Sequence, residues 1–405
     1  MSLRYLFLDM NSYFAAVEQQ IRPELRQRPV AVVPVLAETT CCIAASYEAK
    51  RFGIRTGTPV HAARRLCPGL HVVEANPHLY ITMHKRLIRS VETCLPVQAV
   101  RSIDELVCQL TGDKQQPDVA VRLAGQVKAA IRRDLGEYLR CSIGLAPNQF
   151  LAKVAADMHK PDGLTLLRLQ DLPDRLYALP LRDLPGVGPR MERRLRQSGI
   201  AEVRQLCQLS AQQLTRIWGS RQLGKVWWHQ LRGDDLPEAP TRRHTVGHSH
   251  VLPPEQRNDA DARAVLLRLV EKAAARLRYI QYCADTISVL IGFLQAPAWQ
   301  GRMTLSSCQD TLTLIRAACL LWQRKPSGVP LHVGVVLSDL TASRNVARPL
   351  FEEDGRLLAL SRVMDQVNQR YGAHAVYLAG MHSARGHAPT RIAFTQIPDL
   401  RLADA

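Results

Sequence analysis

Residues 4–10, RYLFLDM, form an apolar run that ends at Asp9 and predicts a buried strand. The stretch SYFAAVEQQ that follows has helical spacing. PVAVVPV (29–35) and TTCCIAAS (39–46) predict two more strands. Tyr47 to Phe52 reads as a helical turn stopped by Gly53, and Pro59 opens a helix that runs through Leu66. Residues 79–94 are helical. Residues 97–110 carry a hairpin pattern around Ser102-Ile103-Asp104-Glu105. A helix over 118–134, a strand over 140–145 and a helix over 148–157 complete an α+β sheet domain up to about residue 166. The pattern then changes. Residues 168–235 hold helices and short loops with almost no β alternation, and the proline-rich 236–242 reads as a linker. From His244 the order is strand, helix (257–278), strand (284–293), strand (301–307), helix (309–322), strand (330–339), a β-α-β-β-α-β layer pair. One helix (355–371) and a polar end remain.

A chain of 405 residues exceeds a single domain of roughly 100–200 residues, which agrees with these changes of pattern. Hydrophobic residues make up 46% of it, enough for several cores, so a disordered chain is excluded. The formal net charge of +17 points to a polyanionic partner, of which nucleic acid is the commonest. None of the 10 cysteines forms a C-x-x-C pair, which argues against zinc ribbons and redox dithiols. No signal peptide precedes the first strand, and no apolar run approaches the roughly 20 residues of a membrane span. A cytoplasmic protein with reduced thiols is expected.

Asp9 ends the first strand, and Asp104 and Glu105 lie in a second strand-like segment far away in sequence. Three carboxylates suit Mg²⁺, which takes a few acidic oxygens plus substrate phosphates. Two such ions, roughly 3.5–4 Å apart, would clamp the attacking and leaving oxygens of a phosphoryl transfer. Neighbours on a regular strand face opposite sides, so Asp104 and Glu105 can share a site only where that strand is twisted or bulged. Taken alone, a carboxylate at a strand end is more often a cap or a surface charge, and a lone Asp-Glu pair is more often solvated.

The surrounding residues bear on that choice. FLDMNSYFAAVE (7–18), RPELRQRPVAVV (22–33), AASYEAKRFGIRTGTPVHAARRLCPGL (44–70), SIDE (102–105) and SIGLAPNQFLAKVAADMHKPDGL (142–164) resemble, in this order, the palm and fingers of the Y-family DNA polymerases. The similarity extends over residues 3–345 and is nearest to the bacterial polymerase IV and UmuC-like branch. It implies that Asp9, Asp104 and Glu105, with the Met10 carbonyl, hold two Mg²⁺ ions. Phe14, beside Tyr13, takes the place of the aromatic gate under the incoming sugar. Tyr47, Lys50 and Lys160 take the places of the triphosphate contacts. Outside this context Phe14 would be a core aromatic and the lysines solvated. Three positions depart from the common pattern: Asn11 stands where many members have Asp, Leu106-Val107 follow the acidic pair, and Lys50 replaces Arg. Lysine gives a point charge without bidentate geometry.

Residues 181–199, LRDLPGVGPRMERRLRQSG, resemble a helix-hairpin-helix: Gly186 and Gly188 turn the chain into a basic helix carrying Arg190, Arg193, Arg194 and Arg196. Such a turn offers backbone N–H groups and a helix dipole to a phosphate, without reading sequence. HTVGHSHVL (244–252) resembles the first strand of the family's little finger. His248 and His250 have no third ligand nearby and read as strand-face histidines. Leu350-Phe351 resembles the tail of a sliding-clamp motif lacking its glutamine, or a pair docked on the chain's own surface.

The resemblance implies a right-hand polymerase: palm 1–20 and 77–166, small fingers 21–76, thumb 167–235, little finger 243–345 and tail 346–405. Its implied activity is template-directed, low-fidelity translesion DNA synthesis by a monomer, with primer–template DNA and dNTPs as partners and no membrane. A noncatalytic polymerase-like scaffold is the alternative, but such relatives have lost the three acids. A DNA-binding repair protein would leave residues 7–18 and 102–105 unexplained.

Overall fold

The computed structural model describes residues 3–237, 243–347, 352–372 and 375–384. The first part runs β1 (Tyr5–Met10), α1 (Tyr13–Ile21), β2 (Val30–Val33), β3 (Ala44–Ala45), α2 (Tyr47–Lys50), α3 (Val60–Leu66), β4 (His71–Glu74) and α4 (Pro77–Glu92). It continues through β5 (Val97–Val100), β6 (Glu105–Gln109), α5 (Pro117–Leu135), β7 (Cys141–Ala146), α6 (Gln149–Met158) and β8 (Leu164–Leu166). Five strands make one sheet in the order β5-β6-β1-β7-β8. The central strand β1 is buried along its whole length, which is why its sequence shows no polar alternation. Leu6, Leu8 and Met10 enter a core with α4 and α5, while Tyr5 and Phe7 enter the core beneath α6.

Gly144 lets α6 lie close on β7. A Cβ there would stand 2.0 Å from the Ala152 carbonyl oxygen and 2.4 Å from the Ala156 nitrogen. Asn148 caps α6 by accepting from Leu151 N–H at 2.8 Å, the role expected of Asn before an apolar helix.

A separate sheet, β3-β2-β4, carries the segment between α1 and α4. Two expectations change here. The strand expected over 39–46 shrinks to Ala44–Ala45, because Thr40 Oγ1 turns back to the Val35 and Ala37 carbonyls at 2.9 and 2.8 Å. Strand β4 was not expected: it lies parallel to β2, and its partner is distant in sequence.

Helices α7 (Pro189–Gln197), α8 (Val203–Gln208), α9 (Ala211–Trp218) and α10 (Arg221–Leu231) follow. Their apolar faces join the α6 core, with Phe150 and Trp227 edge to face at 5.2 Å. Asn148 Nδ2 also donates to the Gln230 and Asp234 carbonyls at 2.9 and 3.0 Å, fixing the end of α10 to the start of α6. Residues 238–242 of the expected linker lie outside the described residues.

Beyond them come β9 (Thr245–Val251), α11 (Asp259–Tyr279), β10 (Tyr282–Phe293), β11 (Trp299–Cys308), α12 (Thr311–Gln323) and β12 (Pro330–Ala342). The strands pair antiparallel in the order β11-β10-β12-β9, and both helices pack on one face, the β-α-β-β-α-β arrangement expected. Helix α13 (Glu352–Tyr371) is docked against this unit: Arg278 grips Asp365 at 2.5 and 2.7 Å, and Ser361 Oγ accepts from Thr311 N–H at 3.1 Å. All ten cysteines are free. No helix among the described residues is long and apolar enough to cross a membrane.

Candidate active site

Along the pleat of β1, Asp9 follows Phe7 onto the side of the sheet that α6 covers. Glu105, the first residue of β6, stands directly opposite Asp9 in the antiparallel register. Asp104 is in the turn between β5 and β6, not on the strand, and its carbonyl accepts from Met10 N–H at 2.9 Å. Strict alternation therefore does not separate the two neighbouring acids. Ser102 Oγ donates to Asp104 Oδ1.

Cations come from α6 and the loop after it. Lys153 Nζ pairs with Asp9, with Glu105 at 2.7 Å and with Asp157 at 3.2 Å. Lys160 Nζ bridges Asp9 and Asp157 at 2.7 Å each. Lys153 and Asp157 are one helical turn apart, so both face the same carboxylates. Neither was singled out from the sequence, although AKVAADMHK contains the i, i+4 and i, i+3 spacings that align them.

Burial sets the electrostatics. It raises the pKa of Asp104, with Ser102 opposing and the Asp9 charge adding to the rise. It also raises that of Glu105, against the pull of Lys153. For Lys153, burial works against the charge, but Asp9, Asp157 and Glu105 outweigh it and the ammonium is held firmly charged. Among the described residues no three Asp, Glu, His or Cys side chains form a ready-made metal cage. The donors still fit a hard divalent ion. Asp9, only 5% exposed, and Glu105 already share one cation, the Lys153 ammonium, and oxygen acceptors of this kind suit Mg²⁺.

The nucleotide-contact candidates fall into two groups. Tyr47 and Lys50 lie on α2, with Lys50 Nζ 4.4 Å from the Tyr47 ring centre. Burial and then the Lys160 charge lower the Lys50 pKa, while Asp9 opposes them. Burial, then Asp9 and Asp157, push the Tyr47 phenol up to about 12. The cationic side of α2 thus feels the same charges as the carboxylate cluster. Phe14 and Tyr13, on α1, are buried. The Phe14 ring stacks on Tyr80 with centroids 4.4 Å apart, and Tyr13 donates its hydroxyl to the Tyr80 carbonyl at 2.8 Å. The Phe14–Tyr80 stack was not legible in the sequence, because Tyr80 lies on α4.

Gly186 has φ +94°, a left-handed turn that glycine permits, and Gly188 caps α7. On that helix Arg194 donates to the Ile217 carbonyl and Arg196 pairs with Glu192. Arg190 and Arg193 are exposed and, among the described residues, pair with no acid. His250 is buried, and burial takes the His248 imidazole down to about 4, in keeping with strand-face histidines. Leu350 and Phe351 lie outside the described residues.

Residues 8–157 match the model of the impB/mucB/samB family, and residues 243–350 match that of its C-terminal domain. Residues 182–235 match the model described as the thumb domain of DNA polymerase-iota. The DNA polymerase IV of Moorella thermoacetica is 35% identical, over 92% of this chain and 95% of the relative. That of Pelotomaculum thermopropionicum is 33% identical, over 92% and 94%. Among solved structures, a Y-family DNA polymerase chimera of Dbh and Dpo4 superposes with a TM-score of 0.71. It has 22% identity and covers 84% of this chain and 99% of the chimera. An insertion ternary complex of Dbh DNA polymerase superposes with a TM-score of 0.54.

Proposed function

This chain belongs to the impB/mucB/samB family, the Y-family polymerases of the DNA polymerase IV type, and from that premise we propose how its residues carry out the reaction. It is a translesion DNA polymerase with the Y-family fold. The reading of the site rests on one observation above all: Asp9 and Glu105 face each other across paired strands, with Asp104 beside them, Lys153 of α6 between them and Lys160 of the following loop on Asp9.

Asp9, Asp104 and Glu105, with the Met10 carbonyl, would hold two Mg²⁺ ions. Bound there, the ions would activate the primer 3′-hydroxyl and neutralise charge on the triphosphate. Lys50 and Lys160 bind the triphosphate oxygens, with the Tyr47 hydroxyl as a further donor, and stabilise charge as pyrophosphate departs. Lys153 balances the charge of Asp9, Glu105 and Asp157. Phe14 lies beneath the sugar and excludes a 2′-hydroxyl. The palm is assigned to 1–20 and 77–166, the fingers to 21–76, the thumb to 167–235 and the little finger to 243–345. Small fingers check base-pair shape weakly, which underlies low fidelity on damaged templates. The enzyme works as a monomer in the cytoplasm. The retained acids disfavour a noncatalytic scaffold.

Primer extension with Mg²⁺ on undamaged and lesion-bearing templates tests this reading. Product on both supports it; no extension on either would refute it.

Gly186, Gly188, Arg190 and Arg193 hold the DNA backbone. Contact with roughly six phosphates should give a log–log slope of affinity against salt near −5. A flat response, or a strong preference for one sequence, would contradict backbone binding. Leu350-Phe351 is assigned to a sliding clamp, which would raise the effective concentration of enzyme at the primer end. The clamp is expected to lengthen wild-type products several-fold. It should lengthen those of the doubly substituted Leu350→Ala/Phe351→Ala variant much less. Equal lengthening of both would show that this pair is not the tether.

A further inference from the structure

We propose that Asn11 is a positioning residue: its side-chain amide ties β1, which carries Asp9, to the 160–163 loop, which carries Lys160. It thereby sets where the Lys160 ammonium stands. This rests on the reading of Lys160 as a triphosphate ligand.

The geometry is a short ladder. Asp9, on β1, lies two residues before Asn11, which directly follows the strand, and Lys160 lies two residues before Asp162 in the loop. Asn11 Oδ1 accepts from Asp162 N–H at 2.7 Å, and Lys160 Nζ reaches Asp9 Oδ1 at 2.7 Å. The backbone link and the ion pair thus join the same two segments, so loosening the first frees the second. Asn11 Nδ2 donates to Ser142 Oγ at 3.1 Å, and Ser142 Oγ accepts from Gly163 N–H at 3.2 Å. Two successive loop N–H groups are therefore held by one amide and the hydroxyl beside it. Asn11 is 4% exposed and Ser142 fully buried, so water cannot readily replace either bond.

The loop's carbonyls are held from the other side. Lys128, on α5, donates to the Asp162 and Gly163 carbonyls at 2.5 and 3.2 Å and pairs with Asp162 Oδ1 at 2.8 Å. Ile143 N–H donates to the Gly163 carbonyl at 3.0 Å. Those anchors place the loop against β7 and α5. The anchor to the strand bearing Asp9 is Asn11.

The residue type matters. An amide both accepts from Asp162 and donates to Ser142, and it carries no charge. An aspartate would keep the acceptor, lose the donor and add a second carboxylate beside Asp9, competing for the same ammonium groups.

The test compares steady-state kinetics of Asn11→Ala, Asn11→Asp, Lys160→Ala and the Asn11→Ala/Lys160→Ala double variant. Asn11→Ala is expected to raise KM for dNTP about tenfold, with kcat changed less than about threefold. Asn11→Asp should raise KM by about threefold, since it retains the bond to Asp162. In the Lys160→Ala background, Asn11→Ala should add less than about twofold, because its effect passes through Lys160. The dNTP-induced rise in Tm, which needs no turnover, should shrink in Asn11→Ala. The proposal is overturned if KM stays at the wild-type value in both Asn11 variants, or if Asn11→Ala adds its full effect to Lys160→Ala. A wild-type enzyme that fails to extend primers would refute the polymerase reading instead, and the Tm series would still report on the link to Lys160.

Discussion

Asp104→Ala is expected to reduce primer extension by at least about a thousandfold, roughly 4 kcal/mol of transition-state stabilisation. DNA affinity should stay within about threefold of wild type, because the phosphate contacts proposed for residues 186–193 would carry binding. Asp104 is the informative acid to remove. Its carboxylate is paired with Ser102, while Asp9 and Glu105 hold the Lys153 ammonium. Losing Asp104 therefore leaves the charge balance of α6 intact. Removing Asp9 would strip both Lys153 and Lys160 of a partner and confuse loss of chemistry with loss of stability, since breaking a buried ion pair is costly. The measurement is single-turnover extension beside a DNA-binding titration. Extension by Asp104→Ala at near the wild-type rate would remove it from the catalytic set.

Phe14→Ala is expected to raise the ratio of ribo- to deoxynucleotide kcat/KM by about a hundredfold, because the ring no longer clashes with a 2′-hydroxyl. A second effect comes with it. The ring is buried and stacked on Tyr80, so truncation should also destabilise the fold by about 3–5 kcal/mol. The two readouts separate the roles. A gate changes sugar selectivity whatever the Tm, whereas a purely structural ring lowers Tm and leaves the selectivity ratio where it was. In that second case Tyr13 becomes the candidate gate.

The element order was largely legible because it depends on local physics. The apolar run of β1, the glycine stop after α2 and the helical pattern of α6 each declare themselves within a few residues, and the β-α-β-β-α-β order follows from such local patterns in succession. What was missed depends on partners distant in the chain. Strand β4 is a four-residue segment completed by β2, and β8 is completed by β7. Neither has a periodicity of its own. The strand expected over 39–46 failed for the opposite reason: β-branched and apolar residues favour extension, but Thr40 satisfies carbonyls in a turn.

For the site, the sequence by itself determined the identity and order of the candidate groups. Three acids in two distant motifs, Tyr47 and Lys50, Lys160 and the Gly-Val-Gly turn were readable as candidates through their resemblance to the Y-family motifs, because residue by residue each has a plainer explanation as a cap, a solvated charge or a loop. Only the tertiary structure decided how those groups meet. The antiparallel register sets Glu105 opposite Asp9, and the turn before β6 frees Asp104 from strand alternation. Gly144 lets α6 approach closely enough for Lys153 to stand between the acids. Asn11 is the clearest case. In the sequence it is a departure from a common aspartate, and in the fold it is a buried amide bound to a loop about 150 residues away. The physical reason is range: propensity and capping act over one or two turns of chain, whereas charge neutralisation and buried hydrogen bonding depend on distances that only packing fixes.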